Sequence, residues 1–369
     1  MIRILQVLPR LRRGGSQAMV MNLYRALDRD NYQFDFIIFT PDHDDYYDEI
    51  RALGGKIYHF KKLNGKNLFE VRKEWDLFFK EHPEYRILHS HVRSFASVYI
   101  PIAKRHGLKT IIHSHSTSNG KDFEGFIKSL LEFPLRFQAD YLFACSTEAG
   151  KWLYGNNAVR KSNYRFIPNA IDLEKFYFST SERDKIRTQF GIENEVVVGH
   201  VGGFETPKNH EFIIDTFISF LSLCPGAKLM LVGDGTFEDK IRNICRDKGI
   251  TDNVIFAGLQ ANVAPYLSAM DVFLFPSLWE GLPVSVVEAQ VSGLRCLLSD
   301  TITRDVELSS LLTYYSLQSG ADRWARTLLD LVPDNREGAS EENIKRLKTF
   351  DCNDTIRSLE AFYYNCVKE

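Results

Sequence analysis

Short runs of apolar and β-branched residues alternate with amphipathic stretches along the whole chain, the pattern of parallel sheets built from strand–helix–strand units. In the first half, runs at 2–9 (IRILQVLP), 34–40, 56–60, 86–91, 109–115, 141–146 and 165–171 predict seven strands. Helical spacing fills the gaps, as in Ala18, Met19, Leu23, Ala26 and Leu27. The stretch from Asp172 to Asn194 is more polar and has no strand pattern, so it reads as a linker. A second series then starts afresh, with runs at 196–202, 228–235, 253–258, 271–277, 295–300 and 312–317 that predict six more strands. The expectation is two doubly wound α/β domains, 1–171 and 195–350, joined through 172–194, with a last helix at 351–369 returning to the first domain. Ligands of open parallel sheets bind at the carboxyl ends of the strands.

The composition narrows the class. With 369 residues, 44% of them apolar, the chain can fill two cores. Its apolar runs fall well short of a membrane span. The N-terminus (MIRILQVLPRL) lacks the long apolar run and small-residue cleavage site of a secretory signal. The six cysteines form no CxxC pair, and no histidine cluster has zinc-ligand spacing, so reduced thiols and a cytoplasmic location are expected. Net charge is −2, but residues 1–170 hold 26 Lys and Arg against 18 Asp and Glu, whereas 171–369 hold 20 against 30. A basic first half suits phosphate groups or an anionic membrane face. The Phe- and Leu-rich segment 120–140 could lie on a membrane, although a core-facing helix is the simpler reading. Nothing beyond the basic half suggests nucleic acid.

Three segments carry candidate chemistry. After the first strand, Arg10-Leu-Arg-Arg-Gly14-Gly15-Ser16 precedes a helix; paired glycines allow close approach of a ligand to a helix N-terminus. The GxGxxG spacing is absent and no acid ends the second strand, which disfavours a nicotinamide cofactor. His89 and His91 end the fourth strand and read as structural; His113 and His115 end the fifth, at the ligand edge. The third segment runs from Phe275 through Glu280-Gly281-Leu282-Pro283-Val284 to Glu288. Glu280 falls in a loop past a strand, Pro283 suits the first turn of a helix, and Glu288 lies within that helix. Amides of 281–284 could meet a diphosphate, with a carboxylate on either side for sugar hydroxyls. Asp42-His-Asp44 has the spacing of a metal-binding DxD but sits in an acidic surface run, and no metal is expected there.

Glu280 and Glu288 resemble the E-x7-E motif of retaining glycosyltransferases of family 4, whose GT-B fold pairs two Rossmann-like domains across a cleft. Other segments agree in order: Gly14-Gly15, His113-Ser-His115, Ile167-Pro-Asn-Ala-Ile-Asp172, Val201-Gly-Gly-Phe-Glu-Thr-Pro-Lys208-Asn and Leu231-Val-Gly-Asp-Gly235. Within the family the chain is most similar to enzymes of bacterial capsule and exopolysaccharide assembly.

The resemblance implies a nucleotide diphosphate sugar donor, UDP-linked, no cofactor or metal, and a saccharide or lipid-linked saccharide acceptor. It places Lys208 on the diphosphate, Glu280 on the donor sugar and Glu288 on the ribose, with Gly258 and Leu259 against the base. It gives His115, with His113 as the alternative, a contact to the donor sugar. Peripheral contact with the inner face of the plasma membrane would follow from a lipid-linked acceptor. One departure stands out: where the family has an arginine on the diphosphate, this chain has Gly203. Two other readings stay open, an epimerase or phosphorylase of the same fold and a catalytically weak assembly partner.

Overall fold

A computed structural model describes residues 1–41, 43–116, 123–333 and 335–368, with the side chains of residues 123 and 124 outside the description. The chain divides into two compact units, Met1–Ile171 with Thr349–Glu369, and Asp172–Lys348.

The first unit holds a seven-stranded sheet of β1 (Ile2–Val7), β2 (Tyr32–Ile38), β3 (Ile57–His59), β4 (Tyr85–Ser90), β5 (Lys109–Ser114), β6 (Tyr141–Ala144) and β7 (Tyr164–Phe166), in the order β3-β2-β1-β4-β5-β6-β7. The second holds six: β8 (Val197–Val201), β9 (Lys228–Val232), β10 (Val254–Gly258), β11 (Val272–Phe275), β12 (Arg295–Ser299) and β13 (Leu312–Tyr315), in the order β10-β9-β8-β11-β12-β13. Every pairing is parallel. Each predicted run holds one strand, because parallel strands are covered on both faces and so read as continuous apolar runs. The run at 165–171 is shortened to three residues.

Strand order reverses between β1 and β4 in the first unit and between β8 and β11 in the second. Loops that leave neighbouring strands on opposite faces part there, which opens a crevice at the carboxyl ends.

The first core packs Ile4, Phe34, Ile87 and Phe143 against the helix Gly15–Ala26 and the C-terminal helix Cys352–Lys368, which contributes Ile356, Leu359, Phe362 and Tyr363. The second centres on Val198, Leu229, Leu231, Val272 and Leu297 under Phe217 and Trp324. The stretch 172–194 is not bare coil. It contains the helix Thr180–Gln189, whose Arg183 donates to the carbonyls of Ser268, Ala269 and Met270 and to Asp271 at 2.6 Å, while Arg187 donates to the Glu193 and Glu195 carbonyls.

The Phe-rich segment departs from the core-facing reading. The helices Phe123–Glu132 and Leu135–Gln138, with the turn between them, leave Phe126, Ile127, Leu130, Phe133 and Phe137 exposed. Gly120 to Asp122 of that segment lie outside the described residues, as does Asp42 of the Asp42-His-Asp44 spacing. No helix among the described residues is long and apolar enough to cross a membrane.

Candidate active site

In the second unit the loops after β8 and β11 meet at the switch point. After β8 the chain makes a tight 3-10 turn, Thr206–Lys208, and Asn209 then takes a left-handed conformation (φ 58°) before the helix His210–Leu223. Asn209 is the only described non-glycine residue with positive φ, a conformation that Asn adopts more readily than most residues. Its side chain offsets the strain by donating to the Pro276 carbonyl at 3.1 Å, and Leu278 N–H donates to the Pro207 carbonyl at 2.8 Å. These bonds tie the two loops together and fix where Lys208 and Glu280 stand.

Lys208 Nζ lies 2.7 Å from Glu280 Oε1, with both side chains less than a fifth exposed. The ammonium also sits 4.7 Å from the centroid of the Phe275 ring. Beneath it, His200 Nδ1–H donates to the Leu274 carbonyl (2.9 Å), and His210 stacks on Phe204. Burial first, then the Lys208 charge, holds the His210 imidazole down to about 4, so it is neutral beside the ammonium.

The loops after β8, β9 and β10 are joined by backbone bonds: Gly202 N–H to the Val232 carbonyl, Phe204 N–H to Asp234, and Gly233 N–H to Gly258. Gly233 (φ 145°) permits this closeness, because a Cβ there would fall 2.3 Å from the Gly202 carbonyl oxygen. Gly203 lies in the same lattice, where a Cβ would stand 3.2 Å from the Asp234 carbonyl oxygen. Gly258 ends β10 with φ 70°, and Leu259 beside it is exposed.

Pro283 caps the helix Val284–Val291 and does not enter its first turn. Proline has no N–H, so any amide donation from 281–284 falls to Gly281, Leu282 and Val284. Glu288 lies in that helix, half-buried, and burial raises its carboxyl to about 7 against a weaker opposing pull from Lys175.

The first unit carries a different constellation. Gly14 and Gly15 begin the helix Gly15–Ala26 after β1; a Cβ on Gly14 would meet Gln17 Oε1 at 2.8 Å, whereas Gly15 faces open space. The histidine pairs of β4 and β5 stack as a quartet, since alternate residues of a strand share one face. His89 Nε2 and His113 Nδ1 are 3.2 Å apart, and His91 Nδ1 and His115 Nε2 are 2.7 Å apart. The ends are tied down by Tyr363 Oη on His89 (2.8 Å), the Gln6 side-chain amide on His91 (3.0 Å) and the Asn169 side-chain amide on His115 (3.2 Å).

Burial, followed by the neighbouring imidazoles, pushes His89, His91 and His113 well below their usual range. Burial takes His115 to about 4, against the opposing pull of Asn169. All four are therefore neutral at pH 7. His113 is fully buried and His115 partly exposed, so the latter is the one a ligand could reach.

Zinc-ligand spacing is absent from the linear sequence, yet one nitrogen each of His89, His91 and His113 lies within 4.8 Å of the others. Adjacent parallel strands create this cluster, which spacing along the chain does not show. The rings are stacked, and imidazole lone pairs lie in the ring planes. His89 and His113 already share a hydrogen bond, which favours a hydrogen-bonded network over a metal centre.

Comparison with known proteins agrees with both units. Residues 13–175 match the family model described as Glycosyltransferase Family 4, and residues 195–333 the model described as Glycosyl transferases group 1. EpsF of Bacillus subtilis (strain 168), assigned as a glycosyltransferase, is 33% identical over 88% of this chain and 86% of its own. The capsular polysaccharide biosynthesis glycosyltransferase CapH of Staphylococcus aureus is 22% identical over 98% of this chain and 99% of its own. Among solved structures, Anabaena Alr3699/HepE in complex with UDP and glucose superposes with a TM-score of 0.82 at 17% identity, covering 98% of this chain and 99% of that one. The fold is thus GT-B.

Proposed function

The chain belongs to the glycosyltransferases of family 4, and from that premise we propose that it transfers a hexose or N-acetylhexosamine from a UDP-linked donor with retention of configuration. The acceptor in this reading is a saccharide or lipid-linked saccharide of surface polysaccharide assembly, in keeping with CapH. The observation that carries the reading is the Lys208–Glu280 pair, held by tied loops at a switch point, with Glu288 eight residues beyond Glu280.

In this proposal the donor diphosphate replaces Glu280 as the partner of Lys208, whose ammonium offsets the charge that grows on the leaving phosphate. Glu280, released, accepts hydrogen bonds from the donor sugar. Glu288 in its ionised form accepts from the ribose hydroxyls, and His115 presents a neutral imidazole to the sugar. The bond from the anomeric carbon to the phosphate oxygen breaks while the acceptor oxygen attaches on the same face, and the acceptor proton passes to the departing phosphate. Because Lys208 and backbone amides supply the positive potential, no metal is required.

Transfer from UDP-glucose, UDP-galactose and their N-acetylated counterparts, run with excess chelator and read by the anomeric proton coupling of the product, tests this. An α-linked product formed in chelator is expected. A β-linked product, or activity that returns only with manganese, contradicts the mechanism.

A further inference from the structure

The second unit holds a cavity that the donor reading leaves unused. It measures about 410 Å³, within the range of small-ligand pockets. It lies between the N-terminal ends of the helices His210–Leu223 and Glu238–Asp247, closed on one side by Leu278 of the loop after β11. The loop after β8 lines it with Glu205, Thr206 and Asn209, whereas Lys208 and Glu280 take no part in its walls.

The lining narrows what could enter. Glu205 and Glu211 face a single lysine, Lys240, which pairs with Glu211 at 2.5 Å. The walls therefore carry an excess of negative charge, which repels a phosphate or a nucleotide. Glu205 accepts from Thr236 Oγ1 at 3.0 Å, and the further lone pairs of a carboxylate take ligand hydroxyls as donors. The Phe237 ring is 39% exposed and stacks on no other aromatic side chain among the described residues. His210 is 5% exposed, and its Nε2 is buried with no hydrogen-bond partner among the described residues. A neutral imidazole has one N–H and one lone pair, so a hydroxyl can meet either. An open phenyl face, acceptor-only carboxylates and an unpartnered imidazole suit the apolar face and the hydroxyl edge of one pyranose.

We propose that this cavity is a second saccharide site, which binds one neutral sugar ring with its face on Phe237 and its hydroxyls on Glu205 and His210. Asn209 lines the same cavity and adjoins Lys208, and Leu278 N–H holds the Pro207 carbonyl at 2.8 Å. An occupant would therefore stiffen the loop that carries Lys208. The site itself is independent of the donor reading, and only this effect on Lys208 rests on it.

Saturation-transfer NMR of the full chain with the methyl glycosides of glucose, galactose, N-acetylglucosamine and N-acetylgalactosamine tests it, each with and without saturating UDP. Saturable binding of at least one glycoside is expected in both conditions, weakened about fivefold or more in Phe237→Ala by loss of the aromatic face. UDP titration of that variant should match the parent, which separates a failure of this site from a failure of the donor reading. Should Phe237→Ala fold poorly, Glu205→Gln, which keeps an oxygen for Thr236, carries the same test. Absence of binding by all four glycosides at tens of millimolar overturns the proposal, as does a folded Phe237→Ala that binds like the parent. Binding that Glu280→Ala abolishes and Phe237→Ala leaves intact also overturns it, and assigns the sugar to the donor site.

Discussion

At the carboxyl ends of β4 and β5 in the first unit, four imidazoles stack in a neutral row with hydrogen bonds between the strands; at the switch point of the second, Lys208 and Glu280 face each other on two tied loops. The sheets that carry them are alike, both parallel and both reversing strand order beside their first strand. The difference lies in how each site meets the cost of burial. The histidines give up their charge and bond to one another, Gln6, Asn169 and Tyr363, which leaves a rigid surface that does not titrate near neutrality. Lys208 and Glu280 instead pair with each other, and in the proposed reaction a phosphate takes the place of the carboxylate. Two sheets of one fold thus carry a wall of imidazoles at the ends of β4 and β5 and an ion pair on the loops after β8 and β11.

The strongest way to break this contrast is to remove the exchangeable charge. Lys208→Ala should lower kcat by about two to three orders of magnitude, the scale of losing a preorganised group opposite developing negative charge. Steady-state transfer with a saturating donor measures it, and a loss below about fivefold would take Lys208 out of the chemistry.

The neutral row is tested next. His91→Ala frees one nitrogen of His115 and should cost roughly ten- to a hundredfold in kcat through misplacement, with a smaller change in KM. Because burial holds His115 at about 4 and its neighbours well below their usual range, the parent rate should show no limb from these histidines between pH 6 and 8. A limb near pH 6.5 that His91→Ala or His115→Ala abolishes would mean that the row carries charge.

A smaller effect is expected at Glu288, whose carboxyl lies at about 7 in the folded chain against 4.5 ordinarily. Below pH 4.5 both states are protonated and burial of the carboxyl carries no ionisation penalty. Between pH 4.5 and 7 the unfolded chain loses its proton while the folded one retains it, so stability falls as pH rises, and the penalty stays constant above 7. The Tm of the parent should therefore drop relative to Glu288→Gln from pH 5 to 7.5. Parallel Tm curves would place the carboxyl in its ordinary range.

The smallest change sharpens the account. Gly203→Arg adds a cation to the loop that carries Lys208, and the Asp234 carbonyl 3.2 Å from the new Cβ must yield only slightly. A severalfold rise in kcat is expected from a charge-assisted contact to the leaving phosphate. A fall would show that the space is already filled when the donor binds.

The strands were legible because strands covered on both faces read as apolar runs, as Val272–Phe275 does. The helix Thr180–Gln189 was not, since Arg183 and Arg187 anchor it through carbonyls and Asp271 instead of an apolar stripe. Lys208 and Glu280 each stood out within a motif, but their pairing depends on β8 and β11 being neighbours across 72 positions of sequence. The histidine quartet was hidden for the same reason. The apolar stripe of Phe123–Glu132 has the same periodicity whether or not a core covers it, so only its exposure in the folded unit separates the two.

The central claim is that the second unit binds the nucleotide diphosphate, with Lys208 on phosphate and Glu288 on ribose. Calorimetric titration of UDP into the parent, Lys208→Ala and Glu288→Ala at pH 8, where Glu288 is ionised, tests it most directly. The account predicts saturable binding by the parent that each substitution weakens at least about tenfold, the scale of losing one charged hydrogen-bond partner. Binding of unchanged affinity in both variants, or none in the folded parent, would contradict it.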